Sequence, residues 1–188
     1  GPREERHQLV RTGRRRLLGQ QAASPGADEL MALFARAWRD CGVFLERSHG
    51  GRYASIVESV DHSAERLVES LTEMPLYRDV MVYQSLEVPL YKRAQITVSD
   101  LHLAFGGQGP GAFADVGDLT MFPDNLVPHV LRMEGVLDYD PDLLARIDAE
   151  ELLEVGSPEE IEIRAVGLHA VERLVDACRS AGLETNAS

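Results

Sequence analysis

Apolar residues recur every three or four positions along most of this 188-residue chain, and the repeat gives way to period two in one stretch, between residues 80 and 91. A period near 3.6 lines up side chains on one face of a helix, and alternation lines them up on one face of a strand. The chain is therefore expected to be mainly α with one small β-hairpin. Hydrophobic residues make up 44% of it, enough to build a core in one substantial domain or two small ones.

Turn and cap residues divide the helical pattern. Residues 3–18 read as a helix with Arg14, Arg15 and Arg16 on a solvated face, or facing a phosphate. Gln20 to Ala27 reads as a loop, and Asp28 opens a helix through Leu30, Leu33, Phe34, Trp38 and Phe44. Trp38 is expected to anchor the core rather than to stack on a base. A short helix around Tyr53–Val60 and another over Asp61–Glu73 follow, the latter ended by Met74-Pro75. Val80–Tyr83 and Glu87–Tyr91 form the hairpin, with Pro89 confining its strand to an edge. From Lys92 the period is helical again, through Ala94, Val98, Leu101 and Phe105. Gly106–Gly111 lacks the Lys-Ser/Thr ending of a phosphate loop and reads as a flexible connector. Later helices start between Asp124 and Pro128, at Asp140-Pro141, and at the capping box Ser157-Pro158-Glu159-Glu160. The last is expected to bury Ile163, Val166, Ala170, Leu174 and Cys178. These elements suggest an N-terminal helical region over 3–75 and a hairpin-plus-helix region over 76–181, together one unit.

Charge and cysteine content remove several function classes. The formal net charge is −12, which phosphate backbones repel, so stable binding of duplex nucleic acid is not expected. Cys41 and Cys178 stand apart from each other and from any histidine cluster, which argues against a zinc site or a disulfide framework and fits a reducing cytoplasm. No run of 18 apolar residues occurs, and no apolar stretch follows the N-terminal arginines, so neither a membrane span nor a secretory signal is expected. Nucleophile elbows, dinucleotide fingerprints and metal-binding boxes are absent, and no cofactor is implied.

Two residues break local rules, as functional residues often do. Lys92 lies at a helix start, where the macrodipole disfavours a cation by ~0.3–1 kcal/mol. It reads either as a snorkelling surface lysine or as a functional one. Asp124 lies between Met121-Phe122-Pro123 and the next helix, where Asp is a favoured cap. The cap and the catalytic carboxylate are compatible readings, because a fixed, ionised carboxylate can stabilise a developing positive charge. His102, His129 and His169 read as packing or surface residues. Arg164 is two residues from Glu162, so the two cannot share a helix face, and Arg164 is free to reach a partner elsewhere.

These same segments, Tyr91-Lys92-Arg93-Ala94-Gln95-Ile96, Leu119-Thr120-Met121-Phe122-Pro123-Asp124, Val127-Pro128-His129-Val130-Leu131 and Gly135-Val136-Leu137, resemble the queuosine-salvage family of queuosine 5′-phosphate N-glycosylases. Tyr77-Arg78-Asp79, Gly156 through Arg164, and His169 through Glu172 extend the likeness in the same order. The resemblance implies a helical domain similar to helix-hairpin-helix DNA glycosylases. It also implies hydrolysis of queuosine 5′-monophosphate to queuine and ribose 5-phosphate. It maps the family's acid onto Asp124, its pocket aromatic onto Phe122 and its lysine onto Lys92. Cleavage of this bond passes through an oxocarbenium-like sugar, which a carboxylate can stabilise, attack, or hydrate by activating water. Phe122 would offer a flat apolar face to the base. Lys92 would hold the 5′-phosphate, orient Asp124 or act as an amine nucleophile. The family's Ala-Asp-Tyr-Arg is Pro123-Asp124-Asn125-Leu126 here, so its Tyr and Arg contacts do not transfer. The chain also reads as short at both ends relative to the family. The alternatives are a truncated relative that binds queuine or a nucleotide without cleaving it, and a helix-hairpin-helix nucleic-acid binder.

Overall fold

A computed structural model describes residues 25–187, which fall into two compact units, one ending at Tyr53 and the other starting at Ala54. The predicted helix over 3–18, with Arg14–Arg16, lies outside the described residues. The described part is mainly helical with one small antiparallel hairpin, as the periodicity predicts. No helix among the described residues is long and apolar enough to cross a membrane.

The first unit holds helix α1 (Pro25–His49). The helix begins three residues before the expected Asp28, because proline fits the first turn of a helix. Phe44 and Leu45 are buried, and the Phe44 ring lies 4.8 Å from that of His49. Trp38 is not a core anchor. It is 68% exposed, on a stretch of α1 where Leu30, Leu33 and Phe34 are also exposed. Helical spacing identified this apolar stripe but could not say whether anything covers it.

Helix α2 (Tyr53–Ser59), in the second unit from Ala54 on, leads to α3 (Ala64–Leu71). The α3 helix is shorter than predicted at both ends. Asp61 and His62 adopt left-handed backbone angles (φ 48° and 58°), so regular helix cannot start until Ser63 has capped it. That start is held doubly. Ser63 Oγ accepts from Arg66 N at 3.2 Å, and Asp115 accepts from Ala64 N (2.6 Å), Glu65 N (3.1 Å) and Ser63 Oγ (2.9 Å). Burial pushes the Asp115 carboxyl up, but the hydrogen bonds from Ala64, Glu65 and Ser63 outweigh it and hold the group below its ordinary value.

Strands β1 (Val80–Tyr83) and β2 (Leu86–Pro89) pair from Val80↔Pro89 to Tyr83↔Leu86 around a two-residue turn at Gln84-Ser85. Gln84 takes φ 56° there. The second strand stops at Pro89 rather than Tyr91, because Leu90 N and Tyr91 N both turn back to Asp79 O at 2.9 and 3.2 Å. Tyr91, at φ 50°, then launches helix α4 (Lys92–Ala104).

The core forms where α3 packs on α4, with Leu67, Leu71, Ala94 and Val98 buried. The glycine-rich stretch is not a free connector throughout. Gly111 is buried, and a Cβ there would lie 2.6 Å from Leu101 O, so this loop is packed onto α4. Helix α5 (Leu126–Met133) packs on α7 (Pro158–Ser180), with α6 (Pro141–Asp148) between them in the chain. Asp140 and Ser157 cap α6 and α7 as predicted. The buried face of α7 differs from the predicted one: it carries Ile161, Arg164, Gly167 and Val175, while Val166 and Leu174 are 51% and 42% exposed. Counting apolar residues misplaced the face because a buried arginine and a glycine lie along its centre.

Candidate active site

A cavity of about 610 Å³ opens in the second unit, with Lys92, Asp124, Tyr139, Leu153 and Arg164 in its wall. Two chain segments bring the predicted pair together there. Lys92 is the first residue of α4. Asp124 ends the extended segment that runs from Leu119 into α5. The two carboxylate oxygens of Asp124 have different surroundings. Oδ1 accepts from Leu126 N at 2.9 Å and Val127 N at 3.2 Å, and so satisfies the first free donors of α5. Oδ2 faces Lys92 Nζ at 3.5 Å. The cap and the ion pair thus coexist in one side chain.

Stability does not explain this pairing. The side chains of Lys92 and Asp124 keep 32% and 25% of their exposure, and partly solvated pairs contribute ~0–1 kcal/mol. Placing a cation at a helix N-terminus costs ~0.3–1 kcal/mol, which offsets that gain. The arrangement holds an amine and a carboxylate together at a cavity wall for little or no net stabilisation.

The segment carrying Asp124 is fixed from both sides. Gln95, buried on α4, donates through Nε2 to Leu90 O (3.1 Å) and Thr120 Oγ1 (3.0 Å), and its Oε1 accepts from Thr120 N (2.9 Å). Arg164 donates from α7 through Nε to Pro123 O at 2.9 Å. Its other nitrogens reach Asp79 Oδ2 at 2.5 Å and Glu160 Oε1 at 3.1 Å. Asp79 Oδ2 in turn accepts from Lys92 N at 3.2 Å. The partner that the i, i+2 spacing denied Arg164 is thus found 85 residues away.

Phe122 is half-buried and does not line this cavity. Apolar cavity wall comes instead from Met81, Ile147, Leu152 and Val155. Tyr139 is a second aromatic that the sequence reading did not single out. Burial pushes its phenol up, against the pull of Arg132, whose guanidinium lies 6.0 Å from the ring centroid. His129, read as a packing or surface residue, also borders the cavity. His102 is held by Gly111 O at 2.9 Å. Only the fold brings Tyr139 and His129 to the cavity wall, and His102 is not among its lining residues.

Comparison with known proteins agrees with the ordered motifs. A family model described as queuosine salvage protein matches residues 15–188. A queuosine 5′-phosphate N-glycosylase/hydrolase of Sphaerobacter thermophilus is 43% identical over 161 residues, covering 85% of this chain and 50% of that protein. Proteins of the same name from Dictyostelium discoideum and Bos taurus are 39% and 36% identical over 142 residues, each covering 75% of this chain and 44% and 42% of the relative. The chain spans about half the length of the curated relatives it matches, or somewhat less. With the match running through the segments that carry Lys92, Asp124 and Arg164, the chain belongs to the queuosine salvage protein family.

Proposed function

We propose that this chain carries the glycosidic-bond-cleaving site of a nucleosidase that hydrolyses queuosine 5′-monophosphate, releasing queuine for reuse in tRNA modification. The observation that carries the reading is the Lys92–Asp124 pair, 3.5 Å apart on the wall of a cavity large enough for a nucleotide. Its family membership and the names of its relatives support the substrate class.

In this mechanism the bond between the anomeric carbon and the base nitrogen breaks, and its electron pair leaves with the base. The sugar becomes oxocarbenium-like, water adds to the anomeric carbon, and the proton that water loses balances the one the departing base nitrogen takes up, giving neutral queuine and ribose 5-phosphate. Asp124 stabilises that cation. Two N–H bonds on Oδ1 fix the carboxylate, leaving Oδ2 to face the cavity. Such preorganised charge avoids the cost of reorganising solvent. Lys92 orients Oδ2 and offers a positive charge to the 5′-phosphate. The role of Phe122 as the base-stacking aromatic rests on the resemblance alone. A helix-hairpin-helix glycosylase-like scaffold rests on the resemblance as well, and a cytoplasmic setting rests on the cysteine pattern.

The test is to incubate the pure protein with queuosine 5′-monophosphate and separate the products by chromatography. Free queuine together with ribose 5-phosphate is the expected result. Thermal stabilisation by the nucleotide with no product would replace hydrolysis with binding alone.

A further inference from the structure

Lys92 and Asp124 belong to separate segments of the chain, and their own contact is a partly solvated ion pair at 3.5 Å. Each is held by a different residue of one buried pair. Asp79 Oδ2 holds the backbone N–H of Lys92 at 3.2 Å, and Arg164 Nε holds the carbonyl of Pro123, the residue before Asp124, at 2.9 Å. Asp79 and Arg164 are themselves joined at 2.5 Å, with 8% and 10% of their side chains exposed. The route from Lys92 to Asp124 through the pair is therefore continuous: Lys92 N, Asp79, Arg164, Pro123 O, Asp124.

We propose that the Arg164–Asp79 pair is a positioning clamp that sets the Lys92–Asp124 separation. The assignment of catalysis to Lys92 and Asp124 rests on the function proposed above, but the clamp's effect on geometry does not. Three features make the pair suited to this task. A guanidinium is planar and presents its donors in fixed directions, so Arg164 can address Pro123 O, Asp79 and Glu160 at once. Removing two charges from water is costly, and a buried pair is often no more stable than apolar residues in the same volume. Its connections also lead to the two residues that meet at the cavity wall. Glu160 adds rigidity: its Oε2 accepts from Gly156 N at 3.2 Å, which ties Arg164 to the capped start of α7.

The test uses Arg164→Lys, which keeps the charge beside Asp79 but cannot reach three acceptors on three segments. Hydrogen exchange at the amides of Lys92, Leu126 and Val127 reports the two ends of the clamp, and the amides of Ala64 and Arg66 report the rest of the unit. We expect exchange at the first three to rise about tenfold while the second two hold. In steady-state assays with queuosine 5′-monophosphate, kcat should fall by about 100-fold, the cost of a displacement of the order of 1 Å, with KM changed by less than about threefold. Asp79→Asn keeps an acceptor for Lys92 N and serves as the second variant should Arg164→Lys fail to fold. Its exchange should be raised at Leu126 and Val127 more than at Lys92, whose N–H keeps an acceptor. Exchange that is unchanged or raised uniformly in the folded variants overturns the clamp. Should the unsubstituted protein release no base, the proposed hydrolysis fails, and the exchange pattern still decides the clamp.

Discussion

Gly167 faces Pro128 where α7 packs on α5, and replacing it with alanine should move the start of α5. A Cβ built at Gly167 would lie 2.6 Å from Pro128 Cγ and 3.3 Å from its Cβ. Carbon atoms in contact sit at about 3.5–4.0 Å, so one helix must retreat by about 1 Å. Neither partner yields cheaply, because Pro128 is fully buried and its ring cannot rotate away. Alanine gains about 1 kcal/mol of helix propensity over glycine, and overpacking costs about 1–3 kcal/mol, so the net effect is a loss of about 0–2 kcal/mol. Thermal unfolding followed by circular dichroism should then show a Tm lower by a few degrees. The diagnostic effect is local. Leu126 and Val127, whose amides hold Asp124 Oδ1, lie on the same short helix as Pro128. Their hydrogen bonds should weaken, and the rate of base release should fall more steeply than stability does. A Gly167→Ala protein with raised Tm and unchanged protection at Leu126 and Val127 would refute this reasoning.

Two other predictions concern the frame around the site. Asp115→Ala should cost about 1–3 kcal/mol at neutral pH, because charge-assisted bonds to the start of α3 are lost. The folded-state carboxyl of Asp115 is held below its ordinary value, so its stabilising effect is complete above that value and disappears as pH falls through the folded one. Denaturant titrations of both proteins from neutral pH into acid should therefore converge, and a constant gap would contradict the assignment. Gln95→Leu preserves size but leaves Thr120 N and Leu90 O without their side-chain partner. Urea unfolding should show a loss of about 2 kcal/mol or more, and a neutral result would mean the amide does not hold the Leu119–Asp124 segment.

Local chemistry made two helix starts legible. Asp140-Pro141 and Ser157-Pro158 are caps whose geometry is encoded within three residues, and both form as read. The hairpin was equally local. The buried face of α7 was not, because Arg164 interrupts its apolar spacing and its partner Asp79 lies 85 residues earlier. The exposure of Trp38 was illegible for a related reason: periodicity identifies an apolar stripe, and only tertiary structure says whether it is covered. Lys92 and Asp124 each had a plain structural reading in isolation. The fold contributes their 3.5 Å separation, and with it the connection between a helix cap and a cavity wall. Phe122 marks the opposite outcome, a residue singled out by resemblance that does not line the cavity.

In the proposed reaction Asp124 stabilises the sugar cation while also capping α5. Asp124→Asn separates the two roles, because asparagine is also a good cap and can still accept at the start of α5 while its charge is gone. Turnover of queuosine 5′-monophosphate should be measured by queuine release, with folding checked by Tm on the same samples. The expected result is a Tm within a few degrees of the unsubstituted protein and a kcat lower by about 100-fold or more. Undiminished queuine release from folded Asp124→Asn would contradict it.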